Sequence, residues 1–292
     1  KERMTESKKN RVPEAKSTIL ARCILRFFLI FWSAVVAFPV IWVFYTSLKT
    51  NKEFFASPWS LPKEPQWINF INAWNKANFG EYFLNSIMTV ILTLLITLLV
   101  VGANAYVIAK FGNRLVHSLE LFYMVMMMVP GVLVLVPLYY IADSLYMTDS
   151  LIWLSVIYAI QGMPFYVFML AGFIRGIHNS LIEAATIDGA SQFAIFFKII
   201  MPLIKPSLFV VSILNVMGTW NEYVTALTFI HEQTKYTIAI GLSYLTNSGT
   251  YDVDYGRTFA GLVIAMIPIL ILYAAFQKQI QNGVSSGEGV KG

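Results

Sequence analysis

The segment SLIEAATIDGAS, residues 180–191, is an island of small and polar residues between two long apolar stretches. Ser180 and Glu183 form the S-x-x-E pattern of a capping box, which predicts the start of a helix. Gly189 stands where that helix should end, because a terminating residue in the left-handed conformation is most often glycine. A short helix is therefore predicted in a segment that the apolar flanks bring close to a membrane.

A second short helix is predicted after Gly189. Ser191 can cap residues 192–200, which should end before Pro202 because proline disfavours helical backbone in the residue preceding it. Ala184 and Ala185 give the first helix a face with almost no side chain. The pair is predicted to lie along a membrane, either as a surface that another protein approaches closely or as an amphipathic connector.

The composition is that of a membrane protein. Of the 292 residues, 57% are hydrophobic and 13% are charged, whereas soluble domains average roughly 45–50% apolar and about 25% charged residues. Cys23 is the single cysteine, so an internal disulfide is excluded. Neither RNA- nor DNA-binding signatures are present, and the net charge of +5 is interpreted as a sign of membrane orientation rather than of a nucleic-acid partner.

Six apolar stretches reach the length of about 20 residues that spans a bilayer. Each should be helical, because hydrocarbon leaves backbone groups without partners. The predicted fold is therefore an all-α polytopic membrane protein with six transmembrane helices at residues 27–47, 86–108, 121–142, 151–174, 207–230 and 259–276.

Lys and Arg set the predicted orientation. Placing both termini in the cytoplasm puts 15 of the 21 Lys and Arg residues on the inner side, as the positive-inside rule favours. The predicted organisation is an N-terminal tail (1–18), a first transmembrane helix with its outer loop (19–81), a core (82–277) containing the long inner loop 175–206, and a glycine-rich tail (278–292). The aromatic outer loops 50–83 and 231–257 are either interfacial segments or docking surfaces.

The longer segment EAATIDGASQFAIFFKIIMPL resembles the cytoplasmic loop of ABC importer membrane subunits. That family's pattern is E-A-A, three residues, G, and later an apolar residue before P. In the family this loop is the coupling helix, which docks in a groove of the ATPase subunit. The resemblance assigns ATPase coupling to Glu183, Ala184, Ala185, Asp188, Gly189, Ala190 and Pro202; the D-G-A form is common in carbohydrate importers.

Other segments extend the resemblance over about residues 82–276. NSIMTVILTLLITLLVVGANAYVIAKF and MVPGVLVLVPLYYIADSLYMTDS are similar to the family's second and third spans, and TWNEYVTALTFI to its fifth. The final NGVSSGEGVKG is similar to the glycine-rich tail of the shorter maltose-importer permease, which implies ATPase contacts at Gly287, Gly289 and Lys291. One departure is IHNSLIEAA, because many relatives carry a proline shortly before the glutamate.

The resemblance implies the type I ABC importer transmembrane fold and a permease subunit in a bacterial inner membrane. Its implied partners are a second permease subunit, two ATPase subunits, an extracytoplasmic solute-binding protein, an oligosaccharide substrate and the lipid bilayer. The implied mechanism is ATP-driven alternating access. This chain should carry no cofactor, since it lacks the G-x-x-x-x-G-K-[ST] loop and the partner subunits bind ATP and Mg.

Catalytic and metal sites are not predicted, because the three histidines fall in separate loops and no G-x-S-x-G motif is present. Alternative functions remain open. The solute could be an acidic uronate oligosaccharide or a phosphorylated polyol. An intramembrane enzyme would need paired acidic or Ser/His groups within the spans. A channel or secondary carrier would work without an ATPase partner.

Glu222 is predicted within the fifth span, where a carboxylate is costly and should face a wet cavity or a partner. Trp220 and Asn221 stand beside it. An aromatic face with amide and carboxylate groups can bind the C–H faces and hydroxyls of sugars, so the three residues are candidates for the substrate pathway. The other interpretation is a hydrogen bond from Glu222 to the partner permease.

Overall fold

The structure, a computed structural model, describes residues 16–247 and 253–286. Within these ranges the chain is helical and contains no strand. The helices are α1 (Lys16–Thr46), α2 (Asn51–Ala56), α3 (Ile68–Lys76), α4 (Phe79–Lys110), α5 (Arg114–Met128), α6 (Gly131–Ser144), α7 (Leu151–Arg175), α8 (Asn179–Ile187), α9 (Gln192–Ile195), α10 (Met201–Leu203), α11 (Lys205–Asn221), α12 (Val224–Phe229), α13 (Ile238–Asn247) and α14 (Tyr255–Ser286).

Four helices in the described ranges, α1, α4, α7 and α14, are each long and apolar enough to cross a membrane. Two bent pairs bring the total to six if each pair is one span: α5 with α6, and the segment Gln192–Leu203 with α11. Four of the six predicted stretches fall on the long helices α1, α4, α7 and α14, whereas the third covers parts of α5 and α6 and the fifth covers α11 and α12. The bends were not predicted in detail.

The predicted third span, residues 121–142, is two helices rather than one. The axes of α5 and α6 meet at 106°, with Val129 and Pro130 in extended conformations between them. The cause is Pro130, which lacks an N–H and disfavours helical backbone in the residue before it.

The predicted fifth span, residues 207–230, is also interrupted. It consists of α11, which ends at Asn221, and α12, which begins at Val224. Glu222 has an extended backbone at the break, so the prediction that it lies within a continuous helix was wrong. A local side-chain contact, described below, stabilises this break.

The buried side chains form two clusters at opposite ends of the packed pair α4 and α7. One surrounds Phe79, Leu154 and Phe229, at the end that carries the predicted outer loops. The other includes Val101 and Leu170 and lies beside α8 and α9. Between the clusters α4 and α7 exchange polar contacts, among them the bonds from Thr93 Oγ1 to Ser155 O (3.4 Å) and from Ser155 Oγ to Thr89 O (3.3 Å), which allow close helix approach.

The segment 50–83 packs against the rest of the molecule rather than forming an open loop. Asn69 of α3 is buried and donates its amide to Ser47 O (2.8 Å) and Lys49 O (2.9 Å). The Lys49 ammonium is buried as well and donates to the carbonyls of Ser57 (2.9 Å) and Pro58 (3.0 Å). These bonds fasten the end of α1 to the segment that follows it.

Both ends of the chain differ from the predicted boundaries. The backbone of α1 begins at Lys16, inside the predicted N-terminal tail. The backbone of α14 continues to Ser286, so residues 278–286 are helical although they were assigned to the tail. Gly287, Gly289 and Lys291 lie outside the described residues.

The start of α14 contacts this outer segment so closely that only glycine fits at position 256. A Cβ on Gly256 would lie 2.5 Å from the carbonyl oxygen of Lys49 and would overlap the amide of Asn69. Gly256→Ala should therefore destabilise the fold by about 1–3 kcal/mol, as overpacking does. The measurement is the thermal unfolding midpoint in detergent, with Gly172→Ala as the control because its Cβ meets open space. Equal midpoints for the two variants would contradict this packing.

Candidate transport sites

Helix α8 contains the E-A-A residues and begins without a side-chain cap. Its N-cap is His178, which makes no side-chain capping bond. The predicted capping box was wrong because the helix begins at Asn179, so that Ser180 already has helical backbone and Glu183 lies two positions beyond the N3 position that a capping box requires. The side chain of Glu183 is exposed.

The end of α8 is a Schellman motif, as the predicted left-handed glycine implies. Gly189 has φ +82°. Its N–H donates to Thr186 O (3.0 Å), and the N–H of Ala190 donates to Ala185 O (2.9 Å). The turn therefore depends on a backbone conformation that an L-residue with a side chain rarely adopts.

The two faces of α8 have different surroundings. Ile182, Ala185 and Ala190 pack against the buried cluster around Leu170. On the other face Ala184 and Asp188 are exposed, and Ile187 is 86% exposed. The helix is thus attached to the membrane domain on one side and presents a small, partly apolar surface on the other.

The second arm of this pair begins as predicted and continues further. The Ser191 hydroxyl accepts the N–H of Ala194 (3.3 Å) and caps α9. A π-helical turn, Phe196–Ile200, follows α9 and leads into α10. The prediction that the helix ends before Pro202 was wrong, because the wider π turn shifts the hydrogen-bond register and places Pro202 in the first turn of a new helical segment, where its missing N–H costs little.

Glu222 stabilises the break between α11 and α12. Its carboxylate accepts the N–H groups of Thr225 (2.8 Å) and Ala226 (3.0 Å), which are unpaired donors of the first turn of α12. It also accepts the hydroxyl of Tyr158 on α7 at 2.7 Å. Sequence reasoning missed Tyr158, because its partner is 64 residues away in the chain.

A cavity of about 570 Å³ adjoins this break. It lies between the α5–α6 bend, α7 and the start of α12, so two interrupted spans meet at it. Most of its lining is apolar, and its polar side chains are Glu222, Gln161 and Thr225. The Thr225 hydroxyl lies 3.4 Å from Gln161 Oε1. Neither Gln161 nor Thr225 was predicted as part of the substrate pathway.

The structure does not bring Trp220 and Asn221 to the same cavity as Glu222. Trp220 is 7% exposed, and its indole N–H donates to Ala265 O (3.0 Å). Asn221 donates to Met217 O within α11 (2.8 Å). Both residues line a separate cavity of about 410 Å³ beside α13 and α14. The buried Trp220 ring therefore fastens α11 to α14.

Asp149, at the opposite end from α8, joins two connections between helices. Its carboxylate accepts the backbone N–H groups of His231 (2.6 Å) and Glu232 (2.7 Å). Burial raises the pKa of Asp149, but these two N–H bonds, together with the nearby His231 and Lys235 charges, outweigh burial and leave the pKa below its ordinary value.

The stability that Asp149 contributes should depend on pH. A carboxyl group with a lowered pKa stabilises the folded state fully above its ordinary pKa of about 3.9, and this contribution is lost as the pH falls through the lower folded value. The difference in thermal midpoint between the wild type and Asp149→Asn should therefore be large at pH 7 and shrink towards pH 3. A difference independent of pH would contradict the role of the charge.

These helices and bent pairs define a multi-pass, all-helical membrane protein. The fold is shared with a chain of the crystal structure of a bacterial ABC transporter involved in the import of the acidic polysaccharide alginate, with a TM-score of 0.80, 18% identity, and coverage of 90% of this chain and 98% of that chain. A chain of the methionine ABC transporter MetNI gives a TM-score of 0.53 with 18% identity, over 74% of this chain and 96% of that chain. The architecture is that of a type I ABC importer transmembrane subunit.

Residues 104–286 match the family "Binding-protein-dependent transport system inner membrane component". The chain is 35% identical over 262 residues to the diacetylchitobiose uptake system permease protein NgcG of Streptomyces coelicolor, covering 89% of this chain and 86% of that protein. It is 31% identical over 248 residues to the melibiose/raffinose/stachyose import permease protein MelC of Bacillus subtilis, covering 85% of this chain and 88% of that protein. The chain belongs to this family and is a permease of the carbohydrate-uptake type.

Proposed function

We propose that this chain is one of two different permease subunits of an importer that carries an oligosaccharide across a bacterial inner membrane by ATP-driven alternating access. Both termini and α8 face the cytoplasm, as the distribution of Lys and Arg favours. Two partner ATPase subunits bind ATP and Mg, and an extracytoplasmic binding protein delivers the solute. The residues beyond Ser286, including Gly287, Gly289 and Lys291, contact the ATPase subunits.

The observation that carries this proposal is the geometry of α8. One face packs on the buried cluster around Leu170, the other exposes Glu183, Ala184 and Asp188, and the Gly189 motif turns the chain into α9, whose Ile195 belongs to the same cluster. Ala184 on this free face carries only a methyl group, so a partner can approach the helix backbone closely there. The surface is thus suited to an ATPase subunit that moves during nucleotide binding and hydrolysis.

The names of relatives support an oligosaccharide as solute. Relatives of this chain include permeases named for diacetylchitobiose, for melibiose, raffinose and stachyose, and for arabinooligosaccharides. The cavity beside Glu222 has an apolar wall and a few polar side chains, which suits the C–H faces and hydroxyls of a neutral sugar. The lone carboxylate in its lining disfavours an acidic uronate or phosphorylated solute by charge repulsion.

The proposal is tested by purifying the tagged full-length chain from its host and identifying the proteins that accompany it. Uptake of radiolabelled diacetylchitobiose, raffinose and arabinotriose is then compared in wild-type cells and in cells lacking the gene. We expect an ATPase and a second permease to co-purify with the chain. We also expect cells lacking the gene to lose uptake of one of these sugars. Uptake that continues without the ATPase would indicate a channel or secondary carrier. If cells lacking the gene lose only the uptake of an alginate oligosaccharide or of glycerol phosphate, the solute is acidic.

A further inference from the structure

The last turn of α4 carries two polar side chains on one face, Tyr106 and Lys110, which are four residues apart and therefore adjacent along the helix. Each bonds to a different arm of the helix pair that surrounds Gly189. The end of one transmembrane helix thus contacts both arms of the coupling segment.

Lys110 holds the first arm at its beginning. Its ammonium donates to the carbonyl of Ile177 (2.6 Å) and to the side-chain oxygen of Asn179 (2.9 Å), the first residue of α8. Since α8 has no side-chain cap, these bonds fix its start relative to α4. Bonds from a charged donor are stronger than those between neutral groups.

Tyr106 holds the second arm at its beginning. The side chain is buried, and its hydroxyl donates to the side-chain amide oxygen, Oε1, of Gln192 (3.0 Å), the first residue of α9. The ring also packs against Phe196, with centroids 5.3 Å apart. Polar and apolar contacts therefore join α4 to this arm over its first turn.

We infer that Tyr106 and Lys110 are positioning residues that make α4 move with the α8–α9 pair, so that displacement of α8 by an ATPase subunit reaches the transmembrane core through α4. A rigid helix that is fastened to both arms must follow them together. Because α4 packs along α7 through the Thr93–Ser155 contacts, the displacement is passed on to the helix that carries Tyr158 and Gln161. This inference rests on the proposed function.

The rival route is the covalent connection from α7 to α8 through residues 176–178. An ion pair between Arg175 and Glu120 fastens that end of α7 to α5. If α7 alone carries the displacement, the α4 contacts contribute only to stability.

The experiment uses the full-length chain in the complex that co-purifies with it, reconstituted in liposomes with the transported sugar. Lys110→Met and Tyr106→Phe each remove the bonds and keep most of the side-chain volume. Each should raise the number of ATP molecules hydrolysed per sugar transported by about fivefold or more, the lower end of typical coupling between sites. In the double variant the effects of the two substitutions on ATP hydrolysed per sugar should not add, because both residues act on the same helix pair. Lys110→Arg should restore coupling, and Lys198→Met, at an exposed position of the second arm, is the control.

A second measurement separates this inference from the proposed function. In the purified complex, the amide hydrogen exchange of α8 should be faster in the Lys110→Met variant than in the wild type. The exchange of α9 should likewise be faster in the Tyr106→Phe variant. Both increases are expected whether or not ATP is hydrolysed. Unchanged exchange, or wild-type ATP consumption per sugar in assembled complexes of both variants, would overturn the inference. If the wild type shows no ATP-dependent uptake while exchange rises as expected, the proposed function and the transmission role fail, and only the structural attachment remains.

Discussion

Gly189→Pro is expected to abolish the stimulation of ATP hydrolysis by solute while leaving membrane insertion unchanged. Proline holds φ near −65°, whereas Gly189 has φ +82°. The substitution also removes the N–H that bonds to Thr186 O. Both changes undo the Schellman turn and redirect the chain after α8, so α8, with its proposed docking surface, and the second arm lose their relative placement.

A graded series makes this expectation sharper. Gly189→Ala retains the N–H but costs about 1–2 kcal/mol in the left-handed conformation, which corresponds to roughly a tenfold reduction in the population of the correct turn. The matched control is Gly112→Ala in the α4–α5 connection, where a Cβ meets open space and φ is not left-handed. The measurement is solute-stimulated ATP hydrolysis per purified complex. Wild-type stimulation in the proline variant would remove this turn from the coupling mechanism.

Glu183→Lys separates docking from folding in the same segment. Glu183 is exposed and takes no part in a capping box, so the charge reversal should leave the thermal midpoint of the isolated chain unchanged. It should lower the amount of ATPase that co-purifies, because the reversed charge lies on the proposed contact surface. A lower midpoint with normal co-purification would indicate a structural role instead.

Glu222→Leu is expected to have the largest effect on assembly and on transport. It leaves three donors without their acceptor: the Tyr158 hydroxyl and the N–H groups of Thr225 and Ala226. Each unsatisfied buried donor costs roughly 1–3 kcal/mol. The start of α12 should then fray, and the cavity wall that it forms should lose its shape.

Matched variants distinguish the charge from the hydrogen bonds. Glu222→Gln keeps an amide oxygen that can still accept a backbone N–H, so a smaller loss is expected than with leucine. Tyr158→Phe removes one donor and leaves the cap of α12 in place. The readouts are the yield of assembled complex and the transport per assembled complex. A leucine variant with wild-type yield and wild-type transport would exclude Glu222 from both roles.

Features that depend on neighbouring residues were predicted from the sequence, whereas features that depend on contacts between distant residues were not. Spans such as α4 and α7 were predictable because they depend on length and apolar content, which a bilayer requires of any spanning helix. Gly189 was predictable because the left-handed turn is a property of one residue and its neighbours. The capping box at Ser180 was not, because its pattern also occurs where the helix starts two residues earlier, and packing decides between such registers.

The sequence by itself determined that this protein is a helical membrane protein with a pair of short helices joined at Gly189, because hydrophobic length, charge distribution and glycine conformation are local properties. Only the tertiary structure decided where spans break, what Glu222 contacts and which residues share a cavity. Glu222 and Tyr158 stand 64 positions apart, and the bond between them exists only because α7 and α11 are packed side by side. The same packing separates Trp220 from Glu222, because Trp220 packs against α14 whereas Glu222 bonds to α7 and α12.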